Sequence, residues 1–354
     1  MTNAFCQRFA MTVPLIQAPM AGTSTPALAA AVSNAGALGS ISVGTLNADE
    51  AEKMIDEVRA LMDRPFNVNV FCHRPARPNP VLEQKWRLRL VDLFRSFGAE
   101  PPEQLREIYT SFVTNEAMLN VFLRQRPAIV SFHFGLPPAA YIAALRKAGV
   151  TLLATATSLA EAKAAAAAGV DALVAQGYEA GGHRGVFDPD APDDRLGTMA
   201  LVRVLVRQQH LPVIAAGGIM DGAGIAAALS LGAVAAQLGT AFIACPESAA
   251  DAAFRATLAS DAAFHTTITR AISGRPARCL ANAFTRWGKD IADADVPGYP
   301  IAYDAGKALH AAAKPHGESG YAAQWAGQGA PLSRPMPAAA LVAELVKELR
   351  EATS

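Results

Sequence analysis

The residues with the clearest chemical potential lie together in Gln176-Gly177-Tyr178-Glu179-Ala180-Gly181-Gly182-His183-Arg184-Gly185. Glycine has no side chain to hold the backbone away from a ligand, so a histidine set among glycines can come very close to one. As a neutral imidazole, His183 can accept a proton or donate a hydrogen bond near neutral pH; the structural alternative is a loop histidine facing solvent. His133 is a second candidate for the same pocket, in the chemistry or as a supporting hydrogen-bond residue. Arg184 either attracts an anionic substrate or pairs with the acidic stretch Asp188 to Asp194. Glu179 reads as a rim acid without a chemical role, and His210 as a surface residue. His73 borders Asn69 but sits in a polar turn, while His265, His310 and His316 lack the spacing of a metal site. No metal is expected.

Two glycine-bearing segments suggest an anion site. Ala216-Gly217-Gly218-Ile219 and Gln237-Leu238-Gly239-Thr240-Ala241 each follow a short apolar run. Loops after the last two strands of a parallel barrel, with a helix N-terminus beside them, commonly bind phosphate through exposed N–H groups. Thr240 adds a hydroxyl. Such a phosphate can belong to FMN, to a phosphorylated substrate or to pyridoxal phosphate. Pyridoxal phosphate requires a Schiff-base lysine, and none of the candidate strands carries one. Asn69 and Gln176 each offer an amide donor and an acceptor suited to the polar edge of a flavin ring, unless they only satisfy buried backbone groups. Met20 and Pro19 can pack near one face of that ring. The amides and the phosphate loops together favour flavin.

These residues need elements to position them. Short apolar runs alternate with alanine-rich helical stretches over the first 243 residues, the rhythm of βαβ units around a parallel sheet. The spacing predicts strands at Leu15 to Ala18, Leu38 to Ile41, Phe66 to Phe71, Ala128 to Phe132, Thr151 to Ala154, Ala172 to Ala175, Pro212 to Ala215 and Ala233 to Leu238. Helices are expected at about 24–35, 47–61, 137–148, 158–168, 199–209 and 221–230, with caps at Thr157-Ser158 and Asp221. Eight units predict an α/β fold, a (β/α)8 TIM barrel, rather than an open Rossmann sheet. The first strand leads into Ala18-Pro19-Met20-Ala21-Gly22, which is not a dinucleotide fingerprint. Residues 1–245 are expected to form the barrel, including inserted helices at about 76–126 whose Trp86, Phe94, Tyr109, Phe112 and Phe122 are read as packing residues. Residues 246–354 are expected to form a mostly helical extension on the barrel. In such a barrel the strand C-termini form the active face. That singles out Gln17, Met20, Asn69, His133, Gln176, His183, Gly217, Gly218, Gln237, Gly239 and Thr240.

Composition narrows the class. Hydrophobic residues make up 51% of the 354 and charged residues 18%, enough apolar material for a large core. Lys plus Arg and Asp plus Glu both number 31, so there is no clustered basic footprint for nucleic acid. The N-terminus is too polar for a signal peptide, and every apolar stretch is interrupted before it reaches membrane length. Cys6, Cys72, Cys245 and Cys279 lack metal spacing and are too few to staple the chain. A cytoplasmic protein is expected; a homo-oligomer is compatible with the sequence.

The sequence resembles the nitronate monooxygenase family, formerly called 2-nitropropane dioxygenases, over nearly its whole length. The resemblance rests on Gln17-Ala18-Pro19-Met20-Ala21-Gly22, Asn67-Val68-Asn69-Val70-Phe71, Ala175 to Gly185, Ala215-Ala216-Gly217-Gly218-Ile219 and Gln237-Leu238-Gly239-Thr240. Gly274-Arg275-Pro276-Ala277-Arg278 and Trp325-Ala326-Gly327-Gln328-Gly329 resemble its class I members. The resemblance implies an FMN-dependent (β/α)8 enzyme that oxidises alkyl nitronates, propionate 3-nitronate prominently, with molecular oxygen to a carbonyl product and nitrite. It implies FMN binding by Asn69, Gln176, Gly181, Gly218 and Gln237 to Thr240, and makes His183 the active-site histidine, orienting the nitronate and weakly deprotonating a neutral nitroalkane. Some members carry a second histidine at the end of the fifth strand. Here Thr151 to Thr157 has none, and His133 on the fourth strand is the residue that can take its place. The rival readings are an NAD(P)H-dependent flavin enoyl-thioester reductase and a flavin-binding protein without turnover.

Overall fold

In a computed structural model that describes residues 3–354, eleven strands appear: β1 Leu15–Gln17, β2 Gly39–Ser42, β3 Phe66–Phe71, β4 Ile129–His133, β5 Thr151–Ala156, β6 Ala172–Gln176, β7 Gly182–His183, β8 Val213–Ala216, β9 Ala235–Leu238, β10 Thr266–Thr269 and β11 Ala277–Leu280. Eight form one parallel sheet in the order β1-β9-β8-β6-β5-β4-β3-β2. Ile16 bridges to Leu38 and closes the ring. There the Gln17 N–H donates to the Leu38 carbonyl at 2.9 Å and the Leu38 N–H to the Leu15 carbonyl at 3.0 Å. The fold is the (β/α)8 barrel expected from the sequence, and each barrel strand begins within two residues of its expected start.

Helices alternate with the strands as the apolar pattern requires. Ser158 caps Leu159–Ala168 by accepting from the Glu161 N–H at 3.2 Å, and Asp221 caps Gly222–Ser230 by accepting from the Gly224 N–H at 2.7 Å. A helix N-terminus leaves N–H groups unpaired, which these side chains satisfy. The final helix, Ala338–Thr353, packs against Gly222–Ser230 and Pro26–Asn34 and completes the outer ring.

Strand side chains alternate faces, so every second residue enters the barrel. The lower interior is apolar: Ile16, Leu38, Ile129, Leu153, Ala172, Ile214 and Ala235 cluster there. Phe5, Cys6 and Phe9 of the first helical turn plug its base. Asn3 pins that turn by donating from Nδ2 to the Val234 carbonyl at 2.7 Å. Continuing along the same faces towards the strand C-termini, the inward residues become Asn69, Ser131, His133, Thr155, Gln176 and Gln237, and all of them line a cavity. The barrel thus ends in a polar floor because the alternation that buries Ile and Leu below delivers amides, hydroxyls and an imidazole above.

The 76–126 insertion forms helices Pro80–Arg95 and Glu116–Gln125. Trp86, Leu90 and Phe94 pack with Phe284, Ile301, Ala305 and Leu309, so the insertion and the segment after the eighth barrel strand share one apolar cluster. Besides its helices, that later segment contributes β10 and β11, which pair antiparallel with each other and with β7 in a three-stranded sheet. The four cysteines are free and buried, and no helix among the described residues is long and apolar enough to cross a membrane.

One close approach tests this packing. A Cβ at Gly39, where β2 meets the Pro26–Asn34 helix, would lie 2.7 Å from the Ala29 carbonyl carbon and Cα. Gly39→Ala is expected to destabilise the fold by about 1–3 kcal/mol in urea unfolding. Gly298→Ala, whose Cβ would meet nothing within 4 Å, is expected to stay within about 0.5 kcal/mol of the wild type.

Candidate active site

A cavity of about 570 Å³ opens at the C-terminal ends of the barrel strands. The structure brings all eleven expected cofactor and catalytic positions to its wall: Met20, Asn69, His133, Gln176, Gly181, His183, Gly217, Gly218, Gln237, Gly239 and Thr240. Gln17 is not among them. Its buried side chain accepts from the Ser40 N–H at 2.9 Å and donates to the Ser24 hydroxyl at 2.9 Å, tying the first loop to β2.

At one end stand the two glycine segments. Gly217 and Gly218 have φ of 125° and 71°, a region glycine occupies without strain. A Cβ on Gly217 would meet Thr198 Oγ1 at 2.8 Å and the Ala180 nitrogen at 3.1 Å. The Thr198 hydroxyl donates to the Gly217 carbonyl at 2.9 Å, and the Glu179 carboxylate accepts from the Thr198 N–H at 2.9 Å. Glu179 is therefore a brace for this loop. The N–H groups of Gly218, Gly239 and Thr240 have no hydrogen-bond partner among the described residues. The Thr240 oxygen accepts from the Gly327 N–H at 2.9 Å, which leaves its own proton to donate.

The amides of the floor differ in what they leave free. Asn69 donates from Nδ2 to the Ser131 carbonyl (3.0 Å) and hydroxyl (3.1 Å), and its oxygen accepts from Ser42 at 3.2 Å. Gln176 donates to the His183 carbonyl at 3.0 Å and accepts from the Gly185 N–H at 2.7 Å. One acceptor lone pair of Asn69 and one N–H of Gln176 remain. The Gln237 side chain has no hydrogen-bond partner among the described residues and lines the cavity.

His183 stands in β7, held by antiparallel pairing of Gly182 and His183 with Arg278 and Ala277. Its Nε2 lies 2.9 Å from Ser273 Oγ. Trp325, Tyr299 and Phe134 surround the ring at centroid distances of 5.0, 5.3 and 5.6 Å. His133 places Nδ1 3.0 Å from Thr155 Oγ1 and Nε2 3.3 Å from the His183 carbonyl oxygen. Phe134, with φ of 73°, wedges between these rings. Burial, then the Arg275 charge, pushes His133 down to about 3 and His73 down to about 4. Burial also holds His183 well below the usual histidine range, with Arg275 and the other two histidines acting in the same direction. All three imidazoles are neutral at neutral pH.

The structure corrects the expectation for His73. It is 1% exposed, both ring nitrogens lack partners, and it packs edge-on against Tyr299 at 5.0 Å. The adjacent chain turns inward under the covering segment, so a polar neighbourhood in sequence becomes a buried one in space. For Arg184 the acidic-pairing alternative holds. Its Nε and Nη2 meet the Asp193 carboxylate at 2.8 and 3.0 Å, and Nη1 donates to the Gln176 and Gly177 carbonyls at 3.1 Å each.

The sequence reading missed a second wall. Tyr109, read as a packing residue, lines the cavity and takes a 2.7 Å hydrogen bond from Lys307 Nζ. Lys307 lies in Ile301–Ala313 and has no carboxylate within ion-pair distance among the described residues. Tyr303, Lys307, His310 and Lys314 all face the cavity. Their spacing of four, three and four was the available signal, a polar stripe on one side of an alanine-rich helix.

The family model described as nitronate monooxygenase matches residues 3–348. The nitronate monooxygenase of Paraburkholderia phytofirmans is 64% identical over 338 residues, covering 96% of this chain and 92% of that relative. That of Pseudomonas aeruginosa is 53% identical over 350 residues, covering 99% and 100%. A solved structure of nitroalkane oxidase from Streptomyces ansochromogenes aligns with a TM-score of 0.89 at 39% identity, covering 98% of this chain and 99% of that one.

The Arg184–Asp193 pair yields a stability prediction. Removing the carboxylate leaves a buried guanidinium short of its counter-charge, so Asp193→Ala is expected to cost about 3–5 kcal/mol in chemical denaturation. Burial raises the Asp193 pKa, but the Arg184 bond, the Arg195 N–H and the two guanidinium charges outweigh it and lower the net value. The stability linked to this group is therefore fully present above the ordinary Asp pKa of about 4 and is lost as pH falls through the lower folded value. Asp193→Ala should flatten that part of the acid limb of a stability–pH curve.

Proposed function

Because the chain belongs to the nitronate monooxygenase family, whose members are flavin-dependent oxidoreductases, we propose that its cavity holds FMN and that the protein oxidises a small anionic nitronate with molecular oxygen to a carbonyl product and nitrite. The observation that carries this reading is the set of unpaired N–H groups on Gly218, Gly239 and Thr240 at one end of the cavity, with His183 and Lys307 also on its wall. A phosphate dianion accepts several N–H bonds at once, which these three amides and the Thr240 hydroxyl supply. Gln237, Gln176 and Asn69 retain donors and acceptors for the polar edge of the ring, and Met20 with Pro19 offers an apolar seat. FMN, when bound, supplies the electron transfer between nitronate and oxygen.

The remaining chemistry belongs to the chain. Lys307 brings a positive charge without a partner carboxylate to the wall. Two unit charges about 4 Å apart attract by about 4 kcal/mol at an effective dielectric of 20, enough to concentrate an anion. His183 is neutral, so it adds no net charge to the attraction of the anion. Tyr299, Tyr303 and Trp325 enclose the site and displace water from the reacting carbon. Propionate 3-nitronate carries anionic groups at both ends, so Lys307 can hold the carboxylate while the nitronate carbon stands near His183.

Anaerobic mixing of the FMN-loaded protein with propionate 3-nitronate is expected to bleach the flavin absorbance, and loaded protein that stays yellow would falsify the reading. A parallel assay of NADPH oxidation with an enoyl thioester should show no turnover; activity there would favour the reductase alternative. Lys307→Met is expected to lower kcat/KM for propionate 3-nitronate by about ten- to a hundredfold, mostly through KM, because it removes roughly 1.4–2.8 kcal/mol of attraction. The loss should be smaller for an alkyl nitronate with an uncharged tail.

A further inference from the structure

We propose that Ser273 is a positioning residue that fixes the tautomer of His183, so that Nε2 carries the proton and a bare Nδ1 is left to the cavity as the proton acceptor of the site. The geometry stands on its own; its chemical meaning rests on the nitronate reading above.

Ser273 is fully buried in the turn between β10 and β11. Its Oγ lies 2.9 Å from His183 Nε2 and 3.2 Å from the Arg275 carbonyl oxygen. A hydroxyl has one proton, and a carbonyl can only accept. Both contacts are satisfied together only if the hydroxyl donates to Arg275 and the Ser273 oxygen accepts from Nε2–H. In a neutral imidazole the other nitrogen then carries a lone pair.

Neutrality follows from what faces the ring. Arg275 and Ser273 approach from the β10–β11 turn, His133 from β4, His73 from the chain after β3, Tyr299 and Tyr303 from the segment around residue 300, and Trp325 from the covering loop. None is a carboxylate, and the Arg275 charge opposes an imidazolium, so the ring at rest is neutral.

The other histidines are closed. His133 donates from Nε2 to the His183 carbonyl, so its Nδ1 must accept from the Thr155 hydroxyl. Both nitrogens of His73 are sealed from solvent. The Nδ1 of His183 has no partner among the described residues, yet it is not among the sealed atoms, and the residue lines the cavity. It is the one open imidazole nitrogen of the three. Facing a neutral nitroalkane, it can take the proton from the carbon next to the nitro group. The C–H bond breaks, the N–H bond forms, and the electron pair moves into the nitro group to give the nitronate. Facing a nitronate, the lone pair has no proton to take and repels the anion, so retention falls to Lys307.

Two measurements on FMN-loaded protein test this. Nitrogen-15 NMR of histidine-labelled wild type should show an unprotonated, pyridine-type Nδ1 and a protonated Nε2 for His183; a protonated Nδ1 overturns the proposal. Ser273→Ala should shift that pattern towards the other tautomer. It should also lower kcat/KM for nitroethane, relative to ethyl nitronate, by about ten- to a hundredfold, within the range of general-base effects. The ratio cancels any loss of folded protein, and an unchanged ratio also overturns the proposal. Ser273→Thr, which keeps the hydroxyl, should restore the NMR pattern. Absence of ethyl nitronate turnover by wild type would defeat the functional reading instead, absence of nitroethane turnover alone would overturn the proton-acceptor role, and the NMR measurement would still decide the tautomer.

Discussion

The site depends on a loop that doubles back over the strand it leaves. Residues 177–185 run from the end of β6 across the barrel mouth and return as β7. A loop over an open mouth has few apolar contacts to hold it, so polar groups hold the bend. The Gln176 amide grips the His183 carbonyl and the Gly185 N–H, while the Arg184 guanidinium grips the carbonyls of Gln176 and Gly177. Arg184 is itself 1% exposed, and its charge is answered by Asp193. His183 lies between these two fastenings, with its ring fixed from the far side by β11 and Ser273. Its position is over-determined by bonds that leave one nitrogen free.

The electrostatics of the mouth follow from what is absent around the imidazoles. A histidine paired with a carboxylate is raised and charged; here burial and Arg275 lower all three. Arg275 is buried, stacks over Phe134 at 4.3 Å, and donates to the Val186 carbonyl rather than to an acid. Burial pushes it down to about 10, which leaves it charged at neutral pH. The region thus combines an unanswered cation with neutral rings. That arrangement favours an anion in the cavity without making the histidines compete for it.

Much of this was legible in the sequence because its periods are physical. Strand positions followed from short apolar runs, and the polar floor followed from the residues at their ends, since period-two alternation delivers Asn69, His133, Gln176 and Gln237 to one face. The motif resemblance is borne out by the family match. What the sequence hid was long-range. Nothing near His73 marks it as buried, because the residues that cover it, Phe134 and Tyr299, come from distant segments. The packing label on Tyr109 was half right: it is 7% exposed, but its hydroxyl points to Lys307, almost two hundred residues away. The pairing of β10 and β11 with a two-residue strand was equally invisible, since a two-residue strand has no period.

The two ends of the cavity are built from different materials. One end is backbone: unpaired N–H groups of Gly218, Gly239 and Thr240, fixed where β8 and β9 emerge from a closed sheet. The barrel sets the directions of these peptide groups, and Gly217 and Gly218, with φ of 125° and 71°, leave no room for a side chain without strain. Another part of the wall is made of side chains on segments outside the sheet, namely Tyr109 of the insertion and Tyr299, Tyr303 and Lys307 beyond the eighth barrel strand. Tyr109 and Tyr299 share an apolar cluster with Phe71 and Phe134, and Tyr303 packs both against it and against the cluster that joins the insertion to the later helices. Substitution of these side chains therefore reshapes the cavity while leaving the backbone N–H groups in place. The division separates donors fixed by the closed sheet from side chains carried on segments outside it.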